Sequence, residues 1–458
     1  MKEFTLKEIA AATGGRIIRG DGEVRVRGFS IDSRQAEEGM MFFAIKGQNN
    51  DGHDYLAQAA SRGCRAAAVS DAGKVPEDTD MAVLLTENTT KALQKLAAYY
   101  LASLPLVKKI GVTGSVGKTS TRDLMYYVAS TRYKTGRNKK NYNNAHGLPL
   151  SILEFEEDTQ IAVLEMGMDA PGEIGLLADI VRPDIAIITK IADVNIELMK
   201  NLDNILRAKM EITTYFDKDC TLIVNSSCPM LTPEKVSGDY GLITVGTEGE
   251  KDYLVKDISD LGDKGIKFTL KRDHKEYRIT LPVPGAHNAV NAALAIAAGE
   301  LTGISPDAAA EGLEKAELTG KRLKVTEHNG IKVIDDTYNA CEDSVKSAID
   351  TLMATEGGRK VAILGDIIGL AEKAKPDHEN VGRYAAEKGV DLLVAIGDDA
   401  VYYAEGAREK MGEEAVMFFP TKERFTEVMD SVIKEGDVIL VKASRGMEME
   451  KIVNEIIR

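Results

Sequence analysis

The sequence contains no tryptophan and only four cysteines, and these absences argue against several classes of protein. The cysteines are scattered among 458 residues without a Cys-x-x-Cys pair. Such usage is typical of a reducing compartment and argues against a disulfide framework or a zinc ribbon. No apolar run approaches the length of a membrane span, and the first residues contain no apolar signal core. We therefore expect a cytoplasmic protein without a membrane span.

Positive charge is also scarce, because 72 acidic residues outnumber 58 lysines and arginines and give a net charge of -14. Proteins that bind nucleic acid are usually basic, so this balance predicts no nucleic-acid partner. The chain also lacks the Asn-Lys-x-Asp run with which GTPases read guanine. An acidic protein that binds anionic nucleotides must concentrate its cations in loops and at helix N-termini.

The length exceeds what one hydrophobic core usually serves, and the patterns predict an α/β protein of three domains. Residues 1–104 read as a small α/β domain, which begins with a helix capped by Thr5 and Glu8. Residues 105–320 contain continuous apolar strands, typical of a buried parallel sheet as in a P-loop ATPase, followed by an antiparallel meander. Residues 321–458 predict a second, Rossmann-like sheet.

The strongest local motif is the glycine-rich segment Gly111–Ser120, GVTGSVGKTS, which follows an apolar strand and opens a helix. Glycines let backbone N–H groups close around phosphate oxygens, and the helix N-terminus adds partial positive charge. The lysine would reach the terminal phosphates, and the threonine hydroxyl would bind magnesium. The alternative interpretation is a glycine-rich turn with a chance Gly-Lys-Thr. The predicted nucleotide-binding residues here are Gly114, Gly117, Lys118, Thr119 and Ser120.

Further short motifs follow in a fixed order along the whole chain. They are Asp32-Ser33-Arg34, Lys46-Gly47, Asp51-Gly52-His53, Asn141-Tyr-Asn-Asn144, Glu165-Met-Gly167, Lys209-Met-Glu211, Gly285-Ala-His-Asn288 with Asn291, Lys321-Arg322, Asp335-Asp-Thr-Tyr-Asn-Ala340, Gly365-Asp366, and Lys442-Ala-Ser-Arg445. In this order, together with the variant phosphate loop, the sequence resembles the Mur ligases. These enzymes join an amino acid or dipeptide to a UDP-linked muramoyl acceptor, and the resemblance is greatest to the branch that adds D-alanyl-D-alanine.

The resemblance implies an ATP-dependent ligase that makes an amide bond through an acyl-phosphate in peptidoglycan precursor synthesis. Its substrates would be a UDP-muramoyl tripeptide and D-alanyl-D-alanine, and we expect a monomer. Two other interpretations stay open at this point. One is a paralogue of the same chemistry with a different amino acid or dipeptide as donor. The other is a nucleotide-binding homologue that has lost turnover, which the complete set of phosphate-site residues disfavours.

The resemblance also implies roles for the residues around the phosphates. Lys118, Lys209 and Arg322 would be catalytic, with the arginine fork binding the terminal phosphate. ATP would bind with two magnesium ions, and the resemblance implies that Lys209 is carbamylated and so becomes an oxygen ligand. From sequence alone, a helical lysine is more often a solvated charge. The implied metal ligands are Thr119, Glu165, Lys209 and Asn195.

The remaining implied residues bind the nucleotide or the substrates. Asn288 and Asn291 would lie near the adenine and Asp336 near the ribose, although all three also suit a helix start. The substrate-binding residues would be Ser33, Arg34, Lys46, His53, Asn143, Asn144, Tyr338, Asn339 and Lys442. The four in the N-terminal part belong to the UDP end, and each is also an ordinary turn residue. His378 is as much a candidate site residue as a satisfied histidine.

Several positions depart from the family pattern, and most of them lie in the third domain. Lys190 and Asn195 replace an asparagine and a histidine in the segment after the strand that contains Ile188. The third domain differs at Cys341, Glu342, Gly369, Ala371 and Ala443. Since this domain receives the incoming amine in the family, the departures predict an ordinary ATP half-site combined with an altered donor site. Drift within a tolerant loop is the alternative.

Overall fold

The computed structural model describes residues 2–139, 141–193 and 199–458, whose strands form three main sheets with helices packed on them. Each sheet lies in one consecutive stretch of the chain, as expected of a three-domain α/β protein. The predicted boundaries near residues 104 and 320 fall between the sheets and stay predictions. Among the described helices, none combines the length and the apolar character that crossing a membrane requires.

The N-terminal sheet has five strands in the order β2-β7-β6-β5-β4, and all pairs except β2–β7 are parallel. The predicted capping box is confirmed, because Thr5 Oγ1 accepts from Glu8 N at 3.2 Å and Glu8 Oε2 accepts from Thr5 N at 2.7 Å. The elements are β1 Phe4–Thr5, α1 Leu6–Thr13, β2 Arg16–Arg19, β3 Arg25–Val26, β4 Phe29–Ser30, β5 Met41–Phe43, α2 Leu56–Ser61, β6 Ala66–Val69, β7 Ala82–Leu85 and α3 Thr89–Ser103.

The central sheet has nine strands in the order β16-β15-β14-β13-β12-β11-β8-β10-β9. All neighbouring pairs from β9 through β10, β8, β11, β12 and β13 to β14 are parallel. Strands β14, β15 and β16 form the predicted antiparallel meander. Its elements are β8 Lys108–Thr113, α4 Lys118–Ala129, β9 Thr135–Arg137, α5 Gly147–Leu153, β10 Ile161–Glu165, α6 Glu173–Val181, β11 Ile185–Ile188, α7 Leu202–Met210, β12 Thr221–Asn225, α8 Pro233–Val236, β13 Gly241–Gly246, β14 Tyr253–Asp260, β15 Ile266–Arg272, β16 Lys275–Leu281, α9 Asn288–Glu300 and α10 Pro306–Leu313.

The C-terminal sheet has six strands in the order β17-β18-β22-β19-β20-β21, parallel except for β17–β18. Apolar clusters cover both faces, with α11, α12 and α13 on one side and α14, α15 and α16 on the other. The elements are β17 Lys324–His328, β18 Ile331–Asp336, α11 Glu342–Ala354, β19 Lys360–Gly365, α12 Ala374–Lys388, β20 Leu392–Ile396, α13 Val401–Arg408, β21 Val416–Phe419, α14 Lys422–Thr426, α15 Met429–Val432, β22 Val438–Lys442 and α16 Glu450–Ile456.

Helix α11 makes two side-chain contacts between the central and C-terminal domains. Asp343 in its first turn pairs with Lys190 at 2.6 Å, and Ser347 one turn later bonds His287 Nδ1 at 2.7 Å. Residues four apart lie on the same face of a helix, so one face of α11 makes both contacts. This contact brings the carboxyl ends of the parallel strands of both sheets to a common cavity, as ligand-binding α/β proteins do.

Candidate active site

A cavity of about 850 Å³ lies between the central and C-terminal domains, and most of the predicted site residues line it. The residues that do so are Gly117, Lys118, Thr119, Ser120, Asn143, Asn144, Glu165, Lys209, Asn288, Asn291, Arg322, Asp336, Tyr338, Asn339 and Lys442. The sequence thus identified groups from both domains that meet only in the folded chain. Gly114 and the four candidates of the UDP end are not part of this lining.

The phosphate loop connects β8 to α4 and requires glycine at two positions. Gly117 has a φ of 89° directly before α4, and Gly114 has a φ of 145°. A Cβ atom on Gly114 would lie 2.1 Å from Thr189 Oγ1, so a side chain does not fit there. Lys118 Nζ donates across the loop to the carbonyl oxygens of Gly114 at 2.8 Å and Ser115 at 3.1 Å. Burial lowers the pKa of this lysine.

Thr119 is the point at which three parts of the site meet. Its hydroxyl donates to Glu165 Oε2 at 2.9 Å and accepts from Arg322 Nη2 at 3.0 Å. Glu165, at the carboxyl end of β10, also accepts from Asn143 Nδ2 at 2.8 Å. Arg322 stacks over the ring of Tyr338 at 4.2 Å, which holds its guanidinium above the loop. Strand β10, the phosphate loop and the C-terminal domain therefore converge on one hydroxyl.

Two residues that support Glu165 were missed by the sequence analysis. Asn138 is fully buried and bonds the backbone of Glu165 twice, donating to its oxygen at 3.0 Å and accepting from its nitrogen at 2.9 Å. Arg122, in the second turn of α4, places Nη1 3.3 Å from Glu165 Oε2 and is 0% exposed. An Arg-Asp pair in a helix usually indicates a solvated face, so little in the sequence points to this buried arginine.

Lys209 is buried in the last turn of α7, at 3% exposure, rather than solvated. Desolvation lowers its pKa well below the ordinary value, and the nearby Lys118 lowers it further. A lysine in such surroundings carries a larger neutral fraction at neutral pH, and the neutral amine is the form that reacts with electrophiles.

Oxygen ligands for a magnesium ion are present but few. Thr119 Oγ1 and Glu165 Oε2 lie 2.9 Å apart and face the cavity, which suits a hard cation. Within the described residues no group of three His, Cys, Asp or Glu side chains is placed to hold a metal. Further ligands would therefore have to come from phosphate, from water or from a modified Lys209. The predicted ligand Asn195 lies outside the described residues.

The predicted nucleotide residues at the start of α9 are buried and joined to each other. Asn291 Nδ2 donates to Asn288 Oδ1 at 2.9 Å, and Asn288 Nδ2 donates to Pro284 O at 2.7 Å. The N-cap position of α9 is His287, and its side chain does not cap the helix. Neither asparagine is therefore the cap of α9, although Asn288 is the first residue of that helix and so fits the alternative of a polar helix start.

Asp336 likewise caps no helix, because the N-cap of α11 is Cys341. Lys442, at the end of the adjacent strand β22, donates to Asp336 Oδ2 at 2.5 Å and to Asn339 O at 2.9 Å. This lysine is only 2% exposed. The pair lies at the carboxyl edge of the C-terminal sheet and forms one wall of the cavity.

The four candidates of the UDP end lie in the N-terminal domain, away from this lining. Ser33 is buried and donates to Gln58 Oε1 at 2.6 Å, whereas Arg34 and Lys46 are exposed. His53 is buried, with Nδ1 2.6 Å from Asp51 Oδ1 and Nε2 accepting from Ser70 N at 2.9 Å. Both nitrogens of His53 are thus engaged within the domain. Their part in binding UDP stays a prediction.

His378 lies on α12, is buried in the C-terminal domain and does not line the cavity. It is 0% exposed, with Nε2 accepting from Ile367 N at 3.1 Å and Nδ1 donating to Ala374 O at 2.6 Å. Its ring packs on Tyr403, and burial lowers its pKa. It is a satisfied structural histidine, as one of the two interpretations predicted.

Most of the described positions that depart from the family pattern bring no new charge to the cavity. Glu342 pairs with Lys346 one turn along α11 at 2.5 Å, which neutralises the charge that replaces a proline. Gly369 has a φ of 85° with open space around it, and Ala443 is fully buried. Lys190 lines the cavity and pairs with Asp343. Of these, only Lys190 introduces a charge that reaches the cavity wall.

Comparison with known families matches three consecutive parts of the chain. The Mur ligase family, catalytic domain, matches residues 25–101, the Mur ligase middle domain matches residues 112–299, and the Mur ligase, glutamate ligase domain, matches residues 321–445. The matches follow one another in the order of the three sheets.

Curated relatives match over the full length. The UDP-N-acetylmuramoyl-tripeptide–D-alanyl-D-alanine ligase of Bacillus subtilis is 36% identical over 460 residues, covering 100% of this chain and 99% of its own. The enzyme of the same name from Escherichia coli is 27% identical over 460 residues, with the same coverage.

Solved structures agree with the sequence matches. MurF from Acinetobacter baumannii superposes with a TM-score of 0.88 at 29% identity, covering 100% of this chain and 99% of that one. MurF ligase from Thermotoga maritima in complex with ADP gives a TM-score of 0.80 at 26% identity, covering 94% and 96%.

Proposed function

This chain belongs to the Mur ligase family, and on that premise we propose that it is an ATP-dependent ligase that adds D-alanyl-D-alanine to a UDP-N-acetylmuramoyl tripeptide. The product is a precursor of peptidoglycan. Full-length similarity to ligases of that name supports this donor over the paralogue interpretation.

The observation that carries the proposal is the meeting of Lys118, Arg322 and Glu165 around Thr119 in one cavity. A cation from the central domain and one from the C-terminal domain can both face the same phosphates there. Phosphoryl transfer needs chiefly positioning and neutralisation of charge, which this arrangement supplies. A protein that had lost turnover would have no reason to keep all three groups together.

The reaction begins when the terminal carboxylate of the acceptor peptide attacks the γ-phosphorus of ATP. This step forms an acyl-phosphate and releases ADP. The amine of the dipeptide then attacks the acyl carbon, and the resulting tetrahedral species expels phosphate and leaves the amide. Since acyl-phosphates hydrolyse readily, a cavity enclosed by two domains protects the intermediate from water. In this proposal Lys118 and Arg322 neutralise the phosphate oxygens during the transfer.

Thr119 and Glu165 are the protein groups suited to hold magnesium, which when bound neutralises phosphate charge. We infer that Lys209 adds a further ligand oxygen as a carbamate, formed when its neutral amine adds CO₂ and releases a proton. Its burial and lowered pKa support this inference. Asn288, Asn291 and Asp336 line the part of the cavity that we assign to adenosine.

The remaining assignments follow the domains. We assign the UDP end of the acceptor to the N-terminal domain and the dipeptide to the C-terminal domain near Lys442 and Asn339. A cytoplasmic location and a monomeric state remain predictions from the sequence.

The test is phosphate release by the purified protein with ATP and a UDP-muramoyl tripeptide. D-alanyl-D-alanine is compared with other dipeptides and single amino acids as donors. We expect D-alanyl-D-alanine to give the highest kcat/KM and ADP release to depend on both substrates. If another donor gives a clearly higher kcat/KM than D-alanyl-D-alanine, the paralogue interpretation replaces this proposal. If no donor gives turnover, the result supports a non-catalytic homologue.

A further inference from the structure

Asp123, in the second turn of α4, is a fully buried carboxylate outside the cavity lining. A buried charge is costly unless donors satisfy it, so its partners indicate what it holds in place. Arg122 donates twice to Oδ1, from Nε at 3.0 Å and from Nη2 at 2.6 Å. Arg137, at the end of β9, donates from Nη1 to the same oxygen at 2.7 Å.

The other oxygen of Asp123 binds a distant part of the chain. The backbone nitrogen of Thr319 donates to Oδ2 at 2.7 Å, across a separation of 196 residues. Thr319 is near the end of the central domain, immediately before the segment that leads into the C-terminal sheet. The bond therefore ties the chain to the central domain shortly before it enters the C-terminal sheet.

The segment beyond this fixed point has the features of a hinge. Gly320 has a φ of 88°, a left-handed conformation that glycine adopts without strain, and nothing lies within 4 Å of where a Cβ atom would be. Two residues later, Arg322 reaches back to Thr119 Oγ1 at 3.0 Å. The position of Arg322 thus depends on where Thr319 is held, and Thr319 is held by its hydrogen bond to Asp123.

The second partner of Arg122 joins the same network to the metal side of the site. Its Nη1 lies 3.3 Å from Glu165 Oε2, while its other guanidinium nitrogens bind Asp123. Asp123 therefore sits between the carboxylate at the cavity and the start of the hinge. Both ends of this chain of contacts meet again at Thr119, which bonds Glu165 and Arg322.

We propose that Asp123 is a positioning residue, which anchors the hinge so that Arg322 is directed onto the phosphate that is transferred. It touches no substrate and acts through Thr319 and Arg322. Small displacements of a charge-neutralising group reduce the rate strongly, which gives such an anchor a measurable effect. The inference rests on the ligase activity proposed above.

The test is a double-mutant cycle on kcat in the full-length enzyme, with Asp123→Asn, Arg322→Ala and the double variant. Arg322→Ala should lower kcat by about a hundredfold or more, as expected for a lost charge-stabilising donor. Asp123→Asn alone should lower kcat by about tenfold, with the KM for ATP changed by less than about threefold, because binding by the loop is kept. In the Arg322→Ala background, Asp123→Asn should lower kcat by less than about twofold, because the effects of coupled residues are not additive.

A matched control is Asp437→Asn. Asp437 is also buried, at 2% exposure, and is paired with Arg359 at 2.7 Å in the C-terminal domain, outside the cavity lining. Its effect on kcat should be the same with and without Arg322. If Asp123→Asn fails to fold, Arg137→Gln, at a partly exposed partner, replaces it in the same cycle.

Additive effects of Asp123→Asn or Arg137→Gln with Arg322→Ala would overturn the inference and leave Asp123 a residue of the fold alone. Failure of the ligase proposal looks different, since wild-type enzyme would then release no phosphate in response to D-alanyl-D-alanine.

Discussion

Arg322 donates to the hydroxyl of Thr119 at 3.0 Å, and this bond joins residues that lie 203 positions apart. Thr119 belongs to the helix that opens at the phosphate loop, and Arg322 precedes the first strand of the C-terminal sheet. The bond shows that this arrangement of domains already places the arginine at the loop. Four predictions concern the phosphate loop, Lys209, the Lys190–Asp343 pair and Asp366.

Lys118→Ala should remove nearly all ATP turnover and leave the melting temperature within a few degrees of wild type. The loop loses the cation that faces the transferred phosphate, and such losses cost about a hundredfold or more in rate. Phosphate release and thermal unfolding measure the two effects. Lys267→Ala is the control, since Lys267 is exposed on β15 and does not line the cavity. Turnover near the wild-type rate in Lys118→Ala would refute the assignment of the loop.

Lys209→Ala should be inactive, and millimolar formate or acetate should restore part of the activity. A small carboxylate can supply the oxygen ligand that a carbamate provides in the wild-type enzyme. Removing CO₂ and bicarbonate should lower wild-type activity in parallel. Lys118→Ala should gain nothing from the acids, because it lacks a cation rather than an oxygen. If the acids raise both variants equally, or neither, the carbamate is wrong.

The Lys190–Asp343 pair should contribute little, and its contribution should depend on salt. The two side chains are 39% and 57% exposed, and pairs of this kind contribute about 0.2–1 kcal/mol. Lys190→Asp should lower kcat/KM by at most about fivefold at low salt and by less at high salt. Adding Asp343→Lys should restore the efficiency, as a swapped pair does. A double variant no better than the single would instead give Lys190 a direct contact with substrate.

Asp366→Asn should change how stability depends on pH. Burial raises the pKa of Asp366 to about 6, from an ordinary value of 3.8. The folded state therefore binds this proton more tightly, and the resulting stability is complete below about pH 3.8 and is lost as the pH rises through about 6. The loss is at most about 3 kcal/mol for a shift of this size.

Urea unfolding from pH 4 to 8 measures this effect. The stability of Asp366→Asn relative to wild type should rise across that window. Asp430→Asn, at an exposed position of α15, should follow wild type. Parallel curves for wild type and Asp366→Asn would contradict the raised pKa.

Local features of the sequence predicted much of this fold. The capping box of Thr5 and Glu8, the phosphate loop and the apolar strands all depend on residues close together in the chain, and the structure has each of them. The switch from parallel strands to the meander was also predicted, because continuous and alternating apolar patterns differ visibly.

Long-range pairing between charged residues could not be predicted in this way. Arg122 and Asp123 have the composition of a solvated helix face, yet both are fully buried. Lys442 and Asp336 meet because β18 and β22 are neighbours in the sheet, and the sequence of neither strand determines the strand order. The helix-cap interpretation of Asp336 was wrong for a similar reason, since Lys442 on the neighbouring strand binds its side chain.

The contacts of α11 have a consequence for recombination between related genes. This helix meets the central domain through Asp343 and Ser347 on a single face, and their partners Lys190 and His287 lie on two separate loops. A C-terminal domain transplanted from a relative would therefore carry only half of each pair. Because exposed pairs of this kind contribute little, chimaeras joined near Gly320 should lose at most about fivefold in kcat/KM from a mismatched Lys190–Asp343 pair. Exchange of whole domains therefore requires that both pairs be restored across the junction before donor specificity is compared.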